Sequence, residues 1–125
     1  MLLVSPYFAP GSRVLDALEA ASERGVLVEL LLAGHSDHPL LRRAVREFIP
    51  RLLKHGVKVY EDPRRMMHAK LAVFDDSLAV LGTSNLDRQS LDHSCEVNAV
   101  FKDPQTSKWI LEHFGTNVHE VVPIE

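Results

Sequence analysis

Short apolar runs alternate with longer amphipathic stretches along this chain, the pattern expected of strands and helices packed in layers. Leu2 to Phe8 is an apolar run punctuated by Pro6 and Pro10 and reads as an opening strand. Val14, Leu15, Leu18 and Ala21 recur at helical spacing behind Ser12, an expected helix cap, and Gly25 suits the helix's left-handed end. Val26 to Leu32 is nearly unbroken in its apolar character, as a parallel strand covered on both faces should be. A second helix is expected from Pro39 to Lys54. There Leu40, Leu41, Ala44, Val45, Phe48, Leu52 and Leu53 make one stripe, and Arg42, Arg43, Arg46 and Arg51 fall mostly outside it as a solvated face. Pro50 should kink or restart that helix, Gly56 ends it, and Val57 to Tyr60 forms a short strand.

The second half of the chain reads differently. Leu71 to Phe74 and Leu78 to Leu81 are two short strands joined by the polar turn Asp75-Asp76-Ser77. Leu86 to His93 is a polar connection, and Cys95 to Phe101 is apolar enough for another strand. Pro104 to Val118 reads as a helix with Trp109, Ile110, Phe114 and Val118 inward. The ensemble predicts one α/β domain over residues 1–125, an α/β/α sandwich around a mixed central sheet. Because it opens directly on a core strand, elements upstream of it are expected to be missing.

Composition narrows the classes. At 46% hydrophobic and 25% charged residues, the chain is too apolar for a disordered one. A formal net charge of -3 offers no general attraction to polyanions. The single cysteine, Cys95, excludes an internal disulfide and a cysteine-based metal site, and is expected to be buried in its strand. No run approaches the roughly 20 apolar residues of a membrane span, and the start lacks a basic leader, so a cytoplasmic or inner-membrane peripheral location is expected.

Chemistry concentrates around the predicted hairpin. Alternation along a strand places His68 and Lys70 on one face, an imidazole beside an ammonium that a buried apolar strand does not need. After the second strand, Gly82 breaks the run, and Thr83, Ser84 and Asn85 present short hydrogen-bonding groups. An imidazole of ordinary pKa, about 6.5, is largely neutral near pH 7 and can attack phosphorus. A cation and neutral donors beside it suit a phosphoryl group.

The spacing His68-x-Lys70-x4-Asp75-x6-Gly82-Thr83-x-Asn85 resembles the H-x-K-x4-D-x6-G-S/T-x-N signature, the HKD motif, of the phospholipase D superfamily. Tyr7-Phe8-x-Pro10, Arg24-Gly25-Val26, His55-Gly56-Val57 and Glu96-Val97-Asn98 follow in the order seen in the C-terminal half of bacterial cardiolipin synthases. The resemblance implies catalysis by His68 through a phosphohistidine intermediate, with no metal or cofactor. Lys70, Thr83 and Asn85 would bind the phosphoryl oxygens, and Glu96 would orient the imidazole. Asp75 belongs to the signature, although its place at a turn suggests a structural role. Ser36 and Asp37 match a pair near the family's active-site mouth but also suit capping of the next helix. Arg64 and Arg65 precede the motif and would add positive potential or simply surface charge.

The resemblance also implies partners. The superfamily brings two such motifs together, one histidine attacking and the other protonating the leaving group. A single-motif chain therefore needs a dimer mate or a separate half. In two-motif members the C-terminal histidine is usually the acid. The implied substrate is a phospholipid or other phosphodiester, with transfer of a phosphatidyl group to an alcohol or to water. The helix arginines, if not simply a solvated face, could touch anionic lipid headgroups at a membrane surface. A homodimeric endonuclease acting on nucleic acid is one alternative, and an inactive fragment or pairing module is another. Two departures bear on lipid specificity. Asp87-Arg88-Gln89-Ser90 stands where the family has Asp-x-Arg-Ser, and Ser94 where it has Asn.

Overall fold

The computed structural model describes residues 1–35, 39–63, 67–115 and 122–124. Strand β1 (Leu2–Ser5) sends Leu2 and Val4 to one core and Leu3 to the other, as a strand buried on both faces must. It stops at Pro6, which has no N–H for the ladder. The chain resumes as the two-residue β2 (Phe8–Ala9), so the single strand expected over Leu2 to Phe8 is in fact two. Helix α1 (Ser12–Glu23) follows, then β3 (Glu29–Ala33), α2 (Pro39–Lys54) and β4 (Lys58–Asp62). Strands β1, β3 and β4 are parallel neighbours, with Leu3 beside Leu30 and Leu30 beside Val59. Leu15 and Leu18 of α1 and Ile49 and Leu52 of α2 bury against that row from one side.

The remaining strands are antiparallel. β5 (Leu71–Phe74) pairs with β1 on one edge and with β6 (Leu78–Gly82) on the other. A turn with φ of 49° at Asp75 and 53° at Asp76 joins them, the doubly left-handed geometry of a tight hairpin and one that Asp tolerates. The chain then forms β7 (Leu86–Asp87), which pairs with β2, a π-helical turn (Gln89–His93), and β8 (Asn98–Phe101), which pairs with β6. Helix α3 (Pro104–Phe114) crosses the second face. Its N-terminus is capped by Asp103, whose carboxylate accepts the N–H of Gln105 at 3.3 Å and Thr106 at 2.7 Å. Ile110, 1% exposed, seals that face over Leu2, Val4, Leu31, Val73 and Ala79. β9 (Val122–Pro123) pairs with β4, giving the sheet order β8-β6-β5-β1-β3-β4-β9. The α/β/α sandwich with a mixed sheet is the architecture the pattern implied.

Several local expectations are corrected. Ser12 lies inside α1 and caps nothing; the cap is Gly11, whose carbonyl accepts the N–H of Val14 at 3.1 Å. Pro50 does not restart the helix, which runs through it to Lys54. Arg51 is not merely solvated. Its guanidinium reaches Asp16 at 2.6 Å and Glu19 at 2.5 Å, neutralising a carboxylate that the α1–α2 interface buries. Cys95 is exposed, and Trp109 is 52% exposed, stacked on His113 at 4.2 Å instead of filling the core. The glycine expectations hold, with φ of +88° at Gly25 and +83° at Gly56 after the two helices. Val118 lies outside the described residues. Among those described, no helix is long and apolar enough to cross a membrane.

Candidate active site

The carboxyl ends of the parallel strands mark the end of the sheet where α/β folds place their ligands. Because β5 runs antiparallel to β1, with Val4 beside Leu71, its lead-in at residues 67–70 arrives at that same end. Met67 and Ala69 pack into the α3-side core, so alternation turns His68 and Lys70 to the opposite face. Lys70 Nζ lies 3.0 Å from His68 Nδ1 and donates to the His68 carbonyl at 3.0 Å. An ammonium donates only to a bare ring nitrogen, which in a neutral imidazole places the proton on Nε2. His68 is exposed, so its ring is open to a substrate, and Tyr7 stands edge-on to it with centroids 6.1 Å apart. Burial pushes the Lys70 ammonium below its ordinary pKa, while the carboxylates of Glu96 and Asp87 pull it upward.

The second wall of the site is the chain leaving β6. Gly82 donates to the Lys70 carbonyl at 3.1 Å, joining the two walls directly. Thr83 is held twice to Val97, just before β8, its N–H donating to the Val97 carbonyl at 3.0 Å and its hydroxyl oxygen accepting the Val97 N–H at 3.0 Å. The same hydroxyl donates to the Glu96 carboxylate. Ser84 Oγ accepts from Asn98 Nδ2 at 2.7 Å. Asn85 turns its Oδ1 inward with no hydrogen-bond partner, an unusual state for a buried amide oxygen. Lys70, Ser84, Asn85 and Asn98 line one cavity of about 210 Å³.

The structure thus gathers His68, Lys70, Thr83, Asn85 and Glu96 at one sheet end. Glu96 engages Thr83 and acts on the charge of Lys70; the imidazole of His68 is met instead by Lys70 and Tyr7. Asp75 is not brought in. It is exposed at the hairpin turn, at the other end of β5 and on the order of 16 Å along the chain from Lys70. Ser36, Asp37, Arg64 and Arg65 lie outside the described residues. Three residues that sequence reasoning did not assign to the site border it: Tyr7, Asp87 and Asn98. Asn98 had a signal, since it repeats the polarity of Glu96 two residues on in an otherwise apolar strand. Tyr7 had a weaker one, its position just past the first strand.

Beside the site the sheet lies open. Helix α1 covers β1 and β3, but between it and the β5–β6 hairpin runs a groove of about 990 Å³ whose floor includes Leu3, Val14, Leu18 and Phe74. Leu86 and Leu91 border both this groove and the smaller cavity at Lys70. Leu91 is 45% and Val100 58% exposed, and Val100 sits beside Val80, which lines that cavity.

The family model for the cardiolipin synthase, phospholipase D-like domain matches residues 1–117. Cardiolipin synthase B of Escherichia coli K12 is 41% identical over 103 residues, covering 82% of this chain and 25% of that protein. A cardiolipin synthase from Geobacillus is 34% identical over 123 residues, covering 98% of this chain and 24% of that protein. The chain therefore spans about a quarter of the length of these relatives. Among solved structures, the phospholipase D family member Nuc of Salmonella typhimurium superposes with a TM-score of 0.80 at 22% identity, covering 96% of this chain and 79% of Nuc. Phosphatidylserine synthase of Haemophilus influenzae does so with a TM-score of 0.70 at 17% identity, covering 98% of this chain and 33% of that protein. At those identities the two structures speak for the fold.

Proposed function

The chain belongs to the cardiolipin synthase, phospholipase D-like family, and from that premise we propose that it is one half of a phosphatidyl-transferring site working through a phosphohistidine. The observation that carries the proposal is the pair His68 and Lys70, side chains 3.0 Å apart, with Lys70 lining a small cavity that Ser84 and Asn85 also line. On binding, Lys70 turns from the imidazole to a non-bridging phosphoryl oxygen, and the hydroxyl and amide of Thr83 and Asn85 supply neutral donors. One histidine attacks phosphorus as the bond to the leaving alcohol breaks. The leaving oxygen takes a proton from a second histidine. An alcohol or water then attacks the phosphohistidine, returning its proton to that second ring and restoring the first.

The second histidine must come from another motif. The open apolar groove beside the site supports this, since an uncovered face of that size suits a partner surface. In a self-associated pair, His68 of one copy is nucleophile and that of the other is acid; paired with an upstream half, His68 acts as the acid. Glu96 accepts the Thr83 hydroxyl in the free chain and, with substrate present, releases it to the phosphoryl oxygen and orients the imidazole. Asp75 has no role at phosphorus and serves its turn. A lipid substrate places the chain against a membrane surface, from the cytoplasm.

The test is turnover of a phosphodiester by the self-associated chain, with native mass measured by light scattering. His68→Ala and Lys70→Ala are expected to lower kcat by at least about 10³-fold, with acid-labile phosphate trapped on the wild-type chain and absent from His68→Ala. Chelators should leave turnover unchanged. Full activity in either variant overturns the assignment.

A further inference from the structure

We propose that Asn98 is a positioning residue, one that holds the Thr83–Asn85 chain in register with His68 and Lys70. The proposal rests on the phosphodiesterase reading above. It begins from an oddity of β8: every residue of this edge strand is exposed, so burial does little to hold it. Asn is also a poor strand former, and nothing in the packing asks for it there. Directly across the ladder stands Gly82, another residue that weakens strands.

The two fit each other. A Cβ on Gly82 would lie 2.1 Å from Asn98 Oδ1, so the missing methyl is the space that the Asn98 amide occupies. From there Asn98 Nδ2 donates to Ser84 Oγ at 2.7 Å, and its Oδ1 lies 3.5 Å from the Ser84 N–H. One side chain thus brackets Ser84 from both its backbone and its hydroxyl. Ser84 sits between the two residues assigned to the phosphoryl oxygens. Its neighbours are tied elsewhere, Thr83 to Val97 and Glu96, and Gly82 to the Lys70 carbonyl. Asn85 has no hydrogen-bond partner for its Oδ1, so its placement depends on the residues either side of it: Leu86, whose N–H donates to Ser5 Oγ at 3.1 Å, and Ser84, held by Asn98. Releasing Ser84 lets Asn85 drift, and a misplacement of about 1 Å in a catalytic group can cost about 10²-fold in rate.

The experiment uses the self-associated chain, a chromogenic phosphodiester, and inorganic vanadate, whose five-coordinate form has the geometry of phosphorus in transfer. Asn98→Ala should lower kcat about 10- to 100-fold with KM changed less than about 3-fold, and weaken vanadate in proportion to kcat. Ser84→Ala, which removes the shorter, hydroxyl half of the bracket without touching β8, should give a loss in the same direction, and the double variant should be no worse than the poorer single one. Phe101→Ala, on the same strand but on the α3 side of the sheet beside Ala79, controls for strand loosening and should keep kcat within about 2-fold. If wild type turns over and Asn98→Ala matches Phe101→Ala in kcat and vanadate affinity, the positioning role is overturned and the reaction stands. If wild type does not turn over while vanadate binding still depends on Asn98 and Ser84, the reaction falls and the positioning role stands.

Discussion

Gly82→Ala should be far more damaging than a methyl group on an exposed residue normally is. The backbone there is not left-handed, so any cost comes from space alone. The new Cβ would stand 2.3 Å from the Val97 carbonyl oxygen and 2.7 Å from Asn98 Cα, backbone atoms at the entry to β8. Ordinary contact needs about 3.5 Å, so β8 must recede by roughly 1 Å. Thr83 then loses its two bonds to Val97, both now 3.0 Å. Overpacking of this kind costs about 1–3 kcal/mol, and each bond adds on the order of 0.5 kcal/mol, since Thr83 and Val97 are exposed and water can replace it. The sum is about 2–4 kcal/mol, which for a domain of this length lowers Tm by about 10 °C at fixed protein concentration. Phosphodiester turnover per folded chain should fall at least about 10²-fold, because the donors beside Lys70 move with Thr83. Asn98→Ala should not rescue the variant, as the Val97 carbonyl remains in the way. Calorimetric melting and steady-state turnover on matched samples test this. A Tm within about 2 °C of wild type together with turnover within about 2-fold would refute the reasoning.

Other substitutions separate stability from chemistry. Gly25→Ala meets nothing within 4 Å but must adopt a φ of +88°; it should cost about 1–2 kcal/mol and leave turnover of the folded chain unchanged, read by denaturant melts and kcat. Ile110→Ala empties the contact between α3 and the sheet and should cost about 2–5 kcal/mol by the same melts. The alkaline limb of kcat/KM should fall at a lower pH than an ordinary lysine would give, because the protonated Lys70 is the active form and burial lowers its pKa. Glu96→Gln removes a carboxylate that raises that pKa and should move the limb lower still. The sign for stability is opposite. Between the lowered pKa and the unfolded value the unfolded chain binds more protons, so Lys70 alone makes stability rise with pH there, and Lys70→Met should abolish that slope.

What was legible in the sequence, and what was not, follows from where each signal originates. The hairpin, the parallel strands and the pairing of His68 with Lys70 are local matters of period and turn chemistry, and a two-residue alternation places a side chain on a face wherever the strand lies in the sheet. The Ser12 cap failed because Gly11, one residue earlier, presents its carbonyl to the first turn and leaves the hydroxyl of Ser12 inside the helix. Arg51 was misread because its partners, Asp16 and Glu19, are on another helix. Cys95 and Trp109 failed for a different reason. Apolar character says that a residue can be buried, not that anything lies over it: Cys95 falls in the connection before β8, the edge of the strand order, and Trp109 is on the exposed side of α3. The same order explains why the expected apolar interior is exposed beside the motif: α1 and α2 cover β1, β3 and β4, and on that face the surface over β5, β6 and β8 carries Val100 and borders the open groove. Exposed apolar surface is costly where it serves only folding. Here it adjoins, through Leu86 and Leu91, the cavity that Lys70 lines beside His68. On the reading proposed above, that uncovered surface on the α1 side is where a second motif would dock, whereas Trp109, on α3 across the sheet, lies away from it.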